Sequence, residues 1–163
     1  MIRSVNPTDA SVICDIYNYY VENTTISFDE TLIQVSEMEE RIRKAGAKYP
    51  CLLWEEGSGE VNGYASLGPW KERSAYKFSS ELSIYVRNGF QGRGIGGKLM
   101  ERLLEEGRAA GFHFLIAGIA LPNERSVALH EKFGFRKTAH FSEVGFKFDK
   151  WLDVGYWELL LND

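Results

Sequence analysis

The chain has 163 residues, and 19 Lys and Arg against 23 Asp and Glu give a formal net charge of -4. That length suits one domain over residues 1–163 with a core that needs neither metal nor disulfide, and the acidic balance argues against nucleic acid as a partner of the whole molecule. No stretch approaches the roughly 18 apolar residues of a membrane span and no signal peptide is visible, so the expectation is a cytoplasmic chain with no membrane partner.

The first strand is expected over 2–5, and Asn6-Pro7-Thr8-Asp9 reads as a turn and helix start. Val12, Ile13, Ile16, Tyr17 and Tyr20 recur at helical spacing, which predicts an amphipathic helix to about residue 22. A second helix is expected over 34–45 with Val35, Met38 and Ile42 inward and Gly46 near its end. Residues 49–55 and 61–67 read as strands joined by a glycine-containing hairpin turn. A long aromatic and basic loop follows over 68–77. The next strand, 80–86, alternates Glu81, Ser83 and Tyr85 against Leu82, Ile84 and Val86. A helix over 96–110 carries Leu99, Met100, Leu103 and Leu104 as its apolar stripe and is closed by Gly111. The apolar run 114–120 predicts a buried central strand. Pro122-Asn123 opens a helix that ends at Gly134, and residues 135–161 read as two strands around a loop. The order β-α-α-β-β-β-α-β-α-β-β predicts an α/β fold, a mixed sheet with helices on its faces.

The two cysteines, Cys14 and Cys51, lie in no CxxC and no Cys/His cluster, so no metal site is signalled and buried free thiols are expected. The densest chemical signal is Gln91-Gly92-Arg93-Gly94-Ile95-Gly96-Gly97, between a strand and a helix. Glycines admit positive φ and close backbone approach. The helix N-terminus behind them offers unpaired N–H groups and a positive dipole end, which suits phosphate oxygens. Arg93 and Arg87 could add charge at the rim. Gly92, Gly94 and Gly97 also satisfy GxGxxG, but a dinucleotide site wants an acid at the end of the next strand, and residues 114–120 hold none. A plain β-to-α turn and a phosphate-binding turn both remain open from the glycines alone.

The same turn resembles the Gln/Arg-x-x-Gly-x-Gly/Ala signature of the GNAT N-acetyltransferase superfamily. Asn123-Glu124-Arg125-Ser126-Val127-Ala128-Leu129-His130, with the Gly134-Phe135 that ends the helix, is similar to the closing helix of that superfamily. A narrower resemblance runs over nearly the whole chain. Gly68-Pro69-Trp70-Lys71-Glu72-Arg73-Ser74-Ala75-Tyr76, Leu121-Pro122-Asn123 and Trp151-Leu152-Asp153-Val154-Gly155-Tyr156-Trp157 look like the phosphinothricin and methionine sulfoximine acetyltransferases.

This resemblance implies the GNAT fold, a central, mostly antiparallel twisted sheet with helices on both faces. It implies acetyl-CoA as co-substrate, a small-molecule amine as acceptor, no metal, and a homodimer. It places the pantetheine arm on the backbone of Ile84, Tyr85 and Val86, and the pyrophosphate on Gln91, Gly92, Arg93, Gly94, Ile95, Gly96 and Gly97. Asn123 and Ser126 join that cofactor group. His130 stands where many members carry a tyrosine that returns a proton to the CoA thiolate. Asn123, Ser126 and His130 are spaced i, i+3, i+7 and share one helix face, although Asn123 also suits a helix cap and a lone helical histidine also suits a structural role.

Acetyl transfer needs a neutral amine, and hence a base. Glu81, on the strand that feeds the glycine turn, is the expected base, with a solvent-facing glutamate as the alternative. Lys71, Glu72 and Arg73, with Glu81, Leu82 and Ser83, form the expected acceptor-binding group, and Lys71 and Arg73 suit an acceptor carboxylate. Trp70, Tyr76 and Phe78 could wall that pocket, with Phe28 beside them. The aromatic and charged segment 146–151 could wrap the pocket or form a dimer contact, and aromatic enrichment alone does not separate interface from core. The expected reaction is direct transfer of acetyl in a ternary complex to the amino group of a small amino acid or analogue. A peptide N-terminus or polyamine as acceptor, and a non-catalytic acyl-CoA-binding sensor, are the alternatives.

Overall fold

The structure, a computed structural model, describes residues 1–161. Its elements are β1 (Ile2–Ser4), α1 (Ala10–Asn23), α2 (Val35–Ala45), β2 (Cys51–Glu55), β3 (Val61–Pro69), β4 (Ser79–Val86), α3 (Ile95–Ala109), β5 (Phe114–Leu121), α4 (Glu124–Lys132), β6 (Arg136–Lys147) and β7 (Lys150–Leu160). Short 3-10 turns at Pro7–Asp9 and Ser74–Tyr76 complete the chain order expected from sequence. The strands form one seven-stranded sheet in the order β1-β2-β3-β4-β5-β7-β6. Every pairing is antiparallel except β4 with β5.

Strand alternation divides the core between two faces. Leu52, Ala65, Leu67 and Leu82 pack with Leu99, Met100 and Leu103 of α3. Leu53 and Tyr64 pack on the other face with Ile13 and Ile16 of α1 and Met38 of α2. Helices therefore cover both faces, as expected. Val35 departs from its expected inward position: it is the first residue of α2 and 42% exposed, because the helix dips into the core only from Met38 onward. Cys14 and Cys51 are free thiols.

Two features of the fold position the site. The first is the parallel pairing of β4 with β5, which holds only for Ser79↔Phe114, Ser80↔Leu115 and Glu81↔Ile116. Beyond Glu81 the strands part. The second is Gly63, which lets α3 lie close to β3. A Cβ there would stand 2.9 Å from Ile95 Cγ2, 3.2 Å from Leu99 Cδ1 and 3.3 Å from the Tyr85 carbonyl oxygen. Replacing it with Val overpacks the seat of the first turn of α3, and is expected to cost about 1–3 kcal/mol. Urea unfolding should show that loss as a lower midpoint at unchanged slope.

Candidate active site

The parting of β4 and β5 exposes backbone. The Arg87 N–H donates to the Asn62 carbonyl at 2.9 Å, so residues 85, 83 and 81 turn their main-chain groups toward β3. Those of Leu82, Ile84 and Val86 turn toward the gap. The Val86 carbonyl accepts the Tyr20 hydroxyl. The remaining groups on this edge suit a ligand that pairs in β-like fashion.

The glycine turn closes one end of the gap. Gly92 and Gly94 have φ of +79 and +82, and nothing lies within 4 Å of where their Cβ atoms would be. Gly94 is the N-cap of α3 and has no side-chain cap, while Lys98 N–H donates to its carbonyl at 3.1 Å. The N–H groups of Ile95, Gly96 and Gly97 therefore lie ahead of the first intrahelical bond, where the helix dipole favours an anion. A Cβ on Gly96 would stand 3.4 Å from Leu129 Cδ2 of α4, so the glycine lets the two helices close on the cleft.

The expected cofactor residues come together unequally. A cleft of about 610 Å³ is lined by Ile84, Tyr85, Val86, Gln91, Gly92, Gly94, Ile95, Gly96, Gly97, Asn123, Ser126 and His130. Arg93 lines no wall of it: its guanidinium stacks on Phe90 at 4.4 Å and donates to the Gly89 carbonyl at 3.3 Å. Arg87 turns instead to the Val61 carbonyl. The cation on the cleft wall is Arg125. The Gln91 side chain serves the turn itself, accepting from Gly89 N–H at 2.8 Å and donating to the Tyr20 hydroxyl at 3.1 Å. Tyr20 thus ties α1, the end of β4 and the glycine turn together. Only its place in the helical stripe of α1 marked it in the sequence, and that signal reads as core.

α4 presents the expected face. Asn123 caps the helix by accepting from Ser126 N–H at 3.2 Å, so its capping and its place on the cleft wall hold together. His130 is 4% exposed. Its Nδ1 lies 2.7 Å from the Ser126 carbonyl oxygen, which can only accept, so Nδ1 carries the proton. Nε2 then holds a lone pair, and it is buried without a partner among the described residues. Desolvation holds the imidazole below its ordinary pKa despite the Ser126 bond, so it rests neutral.

A second cavity, of about 470 Å³, lies on the α1 face of the sheet. Glu81, Tyr85, Gly118, Phe28, Asp29 and Tyr156 are among its walls. A small recess lined by Leu82, Ser83, Ile84, Tyr85, Gly118 and His130 shares walls with both cavities. Glu81 is half-buried, and burial pushes its carboxyl above the ordinary carboxylate value while Lys71 opposes that rise. Its ring neighbour Tyr85 sits in an aromatic cluster with Tyr17 at 5.1 Å and Tyr64 at 5.5 Å. Lys71 lines neither cavity: it lies over Trp70 at 4.6 Å, and Trp70 meets the edge of the cavity residue Tyr156 at 5.7 Å, so Lys71 stands just outside that wall. Glu72 and Arg73 are exposed and line neither cavity. Phe28 does line the second cavity, as expected.

Tyr17 was marked in the sequence only by the helical stripe of α1 and Lys147 only by its place in the segment 146–151, while Ser27 and Asp29 had no signal. The Tyr17 hydroxyl bonds Asp29 and lies 2.8 Å from Ser27 Oγ. Burial first, then Asp29, pushes the Tyr17 phenol up to about 12. Lys147, 2% exposed, donates to the Ser27 carbonyl at 2.6 Å and so clamps the segment after α1 to the end of β6. Burial pushes the Cys51 thiol up to about 12, and Cys51 lines neither cavity, so it is a poor nucleophile for an acyl-enzyme. Among the described residues no group of three or more His, Cys, Asp or Glu could hold a metal ion.

Residues 13–135 match the profile of the Acetyltransferase (GNAT) family. The L-methionine sulfoximine/L-methionine sulfone acetyltransferase of Salmonella typhimurium is 36% identical, over 99% of this chain and 95% of that protein. The phosphinothricin N-acetyltransferase of Streptomyces viridochromogenes is also 36% identical, over 96% of this chain and 85% of that protein. Among solved structures, a phosphinothricin acetyltransferase of Sinorhizobium meliloti in complex with acetyl-CoA superposes with a TM-score of 0.96. It is 32% identical, and the match covers 99% of this chain and 88% of that one.

The Tyr20 tie is testable. Tyr20→Phe removes the hydroxyl bonded to Val86 and Gln91 and should cost about 1 kcal/mol at the turn. Binding of acetyl-CoA, followed by calorimetry, should weaken about fivefold, with the fold unchanged by circular dichroism.

Proposed function

The chain belongs to the Acetyltransferase (GNAT) family, and we propose that it transfers acetyl from acetyl-CoA to the amino group of a small amino acid or analogue. Methionine sulfoximine and phosphinothricin, which the similar enzymes are named for, represent the acceptor class. The observation that carries this reading is the meeting of two cavities at the parted strands. One is the cleft of backbone edge and helix N-terminus, the other an open, aromatic-walled cavity holding Glu81, and Tyr85 is a wall of both. The volume of the Glu81 cavity, about 470 Å³, is of the size that takes a small molecule.

The cleft takes the co-substrate through the edge of Leu82, Ile84 and Val86 and the N–H groups at the start of α3. Its thioester supplies an already activated acyl group. Glu81 takes a proton from the acceptor ammonium, directly or through water, and its raised pKa makes it a better base than an exposed carboxylate. The neutral nitrogen forms a bond to the thioester carbon, and the C–S bond then breaks to release CoA thiolate. A main-chain N–H on the free edge of β4 can hold the oxyanion. As the nitrogen becomes an amide it sheds a second proton, which His130, resting neutral with its lone pair on Nε2, takes up and passes to the sulfur to give CoASH, while Glu81 returns the first proton to solvent. Lys71, just outside the cavity wall, suits the acceptor's carboxylate. The exposed Phe146, Phe148 and Trp151 of the β6–β7 hairpin support a homodimer of this single-domain chain. No described helix is long and apolar enough to cross a membrane, and a cytoplasmic place is part of the reading.

The assay follows CoA release from acetyl-CoA with an amino-acid panel that includes both analogues; no release with any member would remove the small-acceptor reading. Glu81→Gln should lower kcat by about 10²–10⁴-fold while acetyl-CoA binding holds. An undiminished rate would reject Glu81 as base. The pH profile of kcat/KM should fall on the acid side as Glu81 protonates, since only the carboxylate accepts a proton. Lys71 lowers the Glu81 pKa, so Lys71→Ala should move that limb to higher pH.

A further inference from the structure

The wall of the acceptor cavity opposite β4 is built by an irregularity in the last hairpin. β6 and β7 pair at Phe141↔Val154 and next at Gly145↔Leu152. Ser142, Glu143 and Val144 therefore stand against Asp153 alone, and the ladder is broken there. Glu143 has a φ of 52, in the left-handed region that a glutamate adopts only when held. No glycine sits at that position to relieve it.

Asp153 is what holds it. Its Oδ1 accepts the Glu143 N–H at 2.8 Å. Its Oδ2 lies 2.8 Å from His140 Nε2. Lys137 Nζ lies 2.8 Å from His140 Nδ1, and an ammonium only donates, so Nδ1 holds the lone pair and Nε2–H donates to Asp153. The His140 bond, then the Glu143 N–H, keep the Asp153 carboxyl below the usual carboxylate range.

The bulge matters because of what it carries. Phe141 and Val144, at its two shoulders, line the acceptor cavity with Val154 and Tyr156. Phe141 meets the edge of Tyr156 at 5.8 Å. Gly145, at its end, is the seat of Phe28: a Cβ there would lie 2.3 Å from the Phe28 ring, which is itself a cavity wall. Asp153 touches none of the cavity.

We propose that Asp153 is a positioning residue: by locking the 142–144 bulge it sets the shape of the acceptor cavity, and through that shape the choice of acceptor side chain. This rests on the reading that the cavity beside Glu81 takes the acceptor. Asp153→Ala frees the Glu143 N–H, while Asp153→Asn keeps an oxygen to accept it. In steady-state assays with methionine sulfoximine, Asp153→Ala should raise the acceptor KM by about 10- to 100-fold. The KM for acetyl-CoA should stay within about twofold of the parent, since the cofactor cleft shares no residue with the bulge. Preference among neutral amino-acid side chains should flatten, and Asp153→Asn should restore most of the loss. An unchanged acceptor KM in Asp153→Ala, or an equal rise for both substrates, overturns the proposal. Val154→Phe, which fills the same cavity from a regular strand position, separates this from the premise. If it too leaves the acceptor KM unchanged, the cavity is not the acceptor site. If it raises that KM while Asp153→Ala does not, the premise stands and the positioning role alone fails.

Discussion

The site depends on the early end of the β4–β5 pairing. After Glu81↔Ile116 the two strands have main-chain groups and no partner between them. Burying such groups unpaired is costly, so the gap must be satisfied by something that enters it. The protein supplies part of the answer itself, with the Tyr20 hydroxyl on the Val86 carbonyl and α4 set across the far side. The rest of the edge is left for a ligand with amides of its own. The same separation gives the two faces of the sheet a common opening at Tyr85 and Gly118. A nucleophile on one face can thereby meet an acyl group held on the other.

Much of this was legible in sequence, and for identifiable reasons. Alternation along 80–86 put Glu81, Ser83 and Tyr85 on one face, and Tyr85 indeed lies in the aromatic cluster under α1. Helical spacing brought Asn123, Ser126 and His130 together on the cleft. The glycines at Gly92 and Gly94 adopt the positive φ that their residue type permits. The parting of the strands was not legible, because residues 114–120 are apolar throughout and read as a strand paired along its whole length. The bulge was silent for a different reason. Its left-handed residue is Glu143, and the group that holds it, Asp153, is ten positions away across the hairpin. Arg93 shows the limit of motif reading: the residue type suits phosphate, but its guanidinium lies on Phe90, and Arg125 occupies the cleft wall.

On the proposed function, two kinds of recognition are segregated in the molecule. The cleft at the glycine turn offers the free edge of β4 and the N–H groups at the start of α3, main-chain groups that carry little information about the acceptor. The acceptor cavity is made of side chains from three places: β4, the segment after α1 and the β6–β7 hairpin. Its hardest requirement is to hold the last two together, since neither is bound to the other by sheet hydrogen bonds.

Lys147 meets that requirement at a cost. Burial penalises its ammonium and lowers its pKa, while Asp29 and Glu30 act in the opposite direction. A buried cation left alone would be expensive. It is tolerated because its Nζ donates to the Ser27 carbonyl at 2.6 Å, and Asp29 is in turn held by Tyr17. An apolar residue of the same length could fill the space, yet it would leave the Ser27 carbonyl unpaired and the segment free to drift from the hairpin. The lysine therefore contributes geometry more than stability. It fixes Phe28 over Gly145 and Asp29 beside Tyr17, and so keeps the cavity that Glu81 serves at one shape.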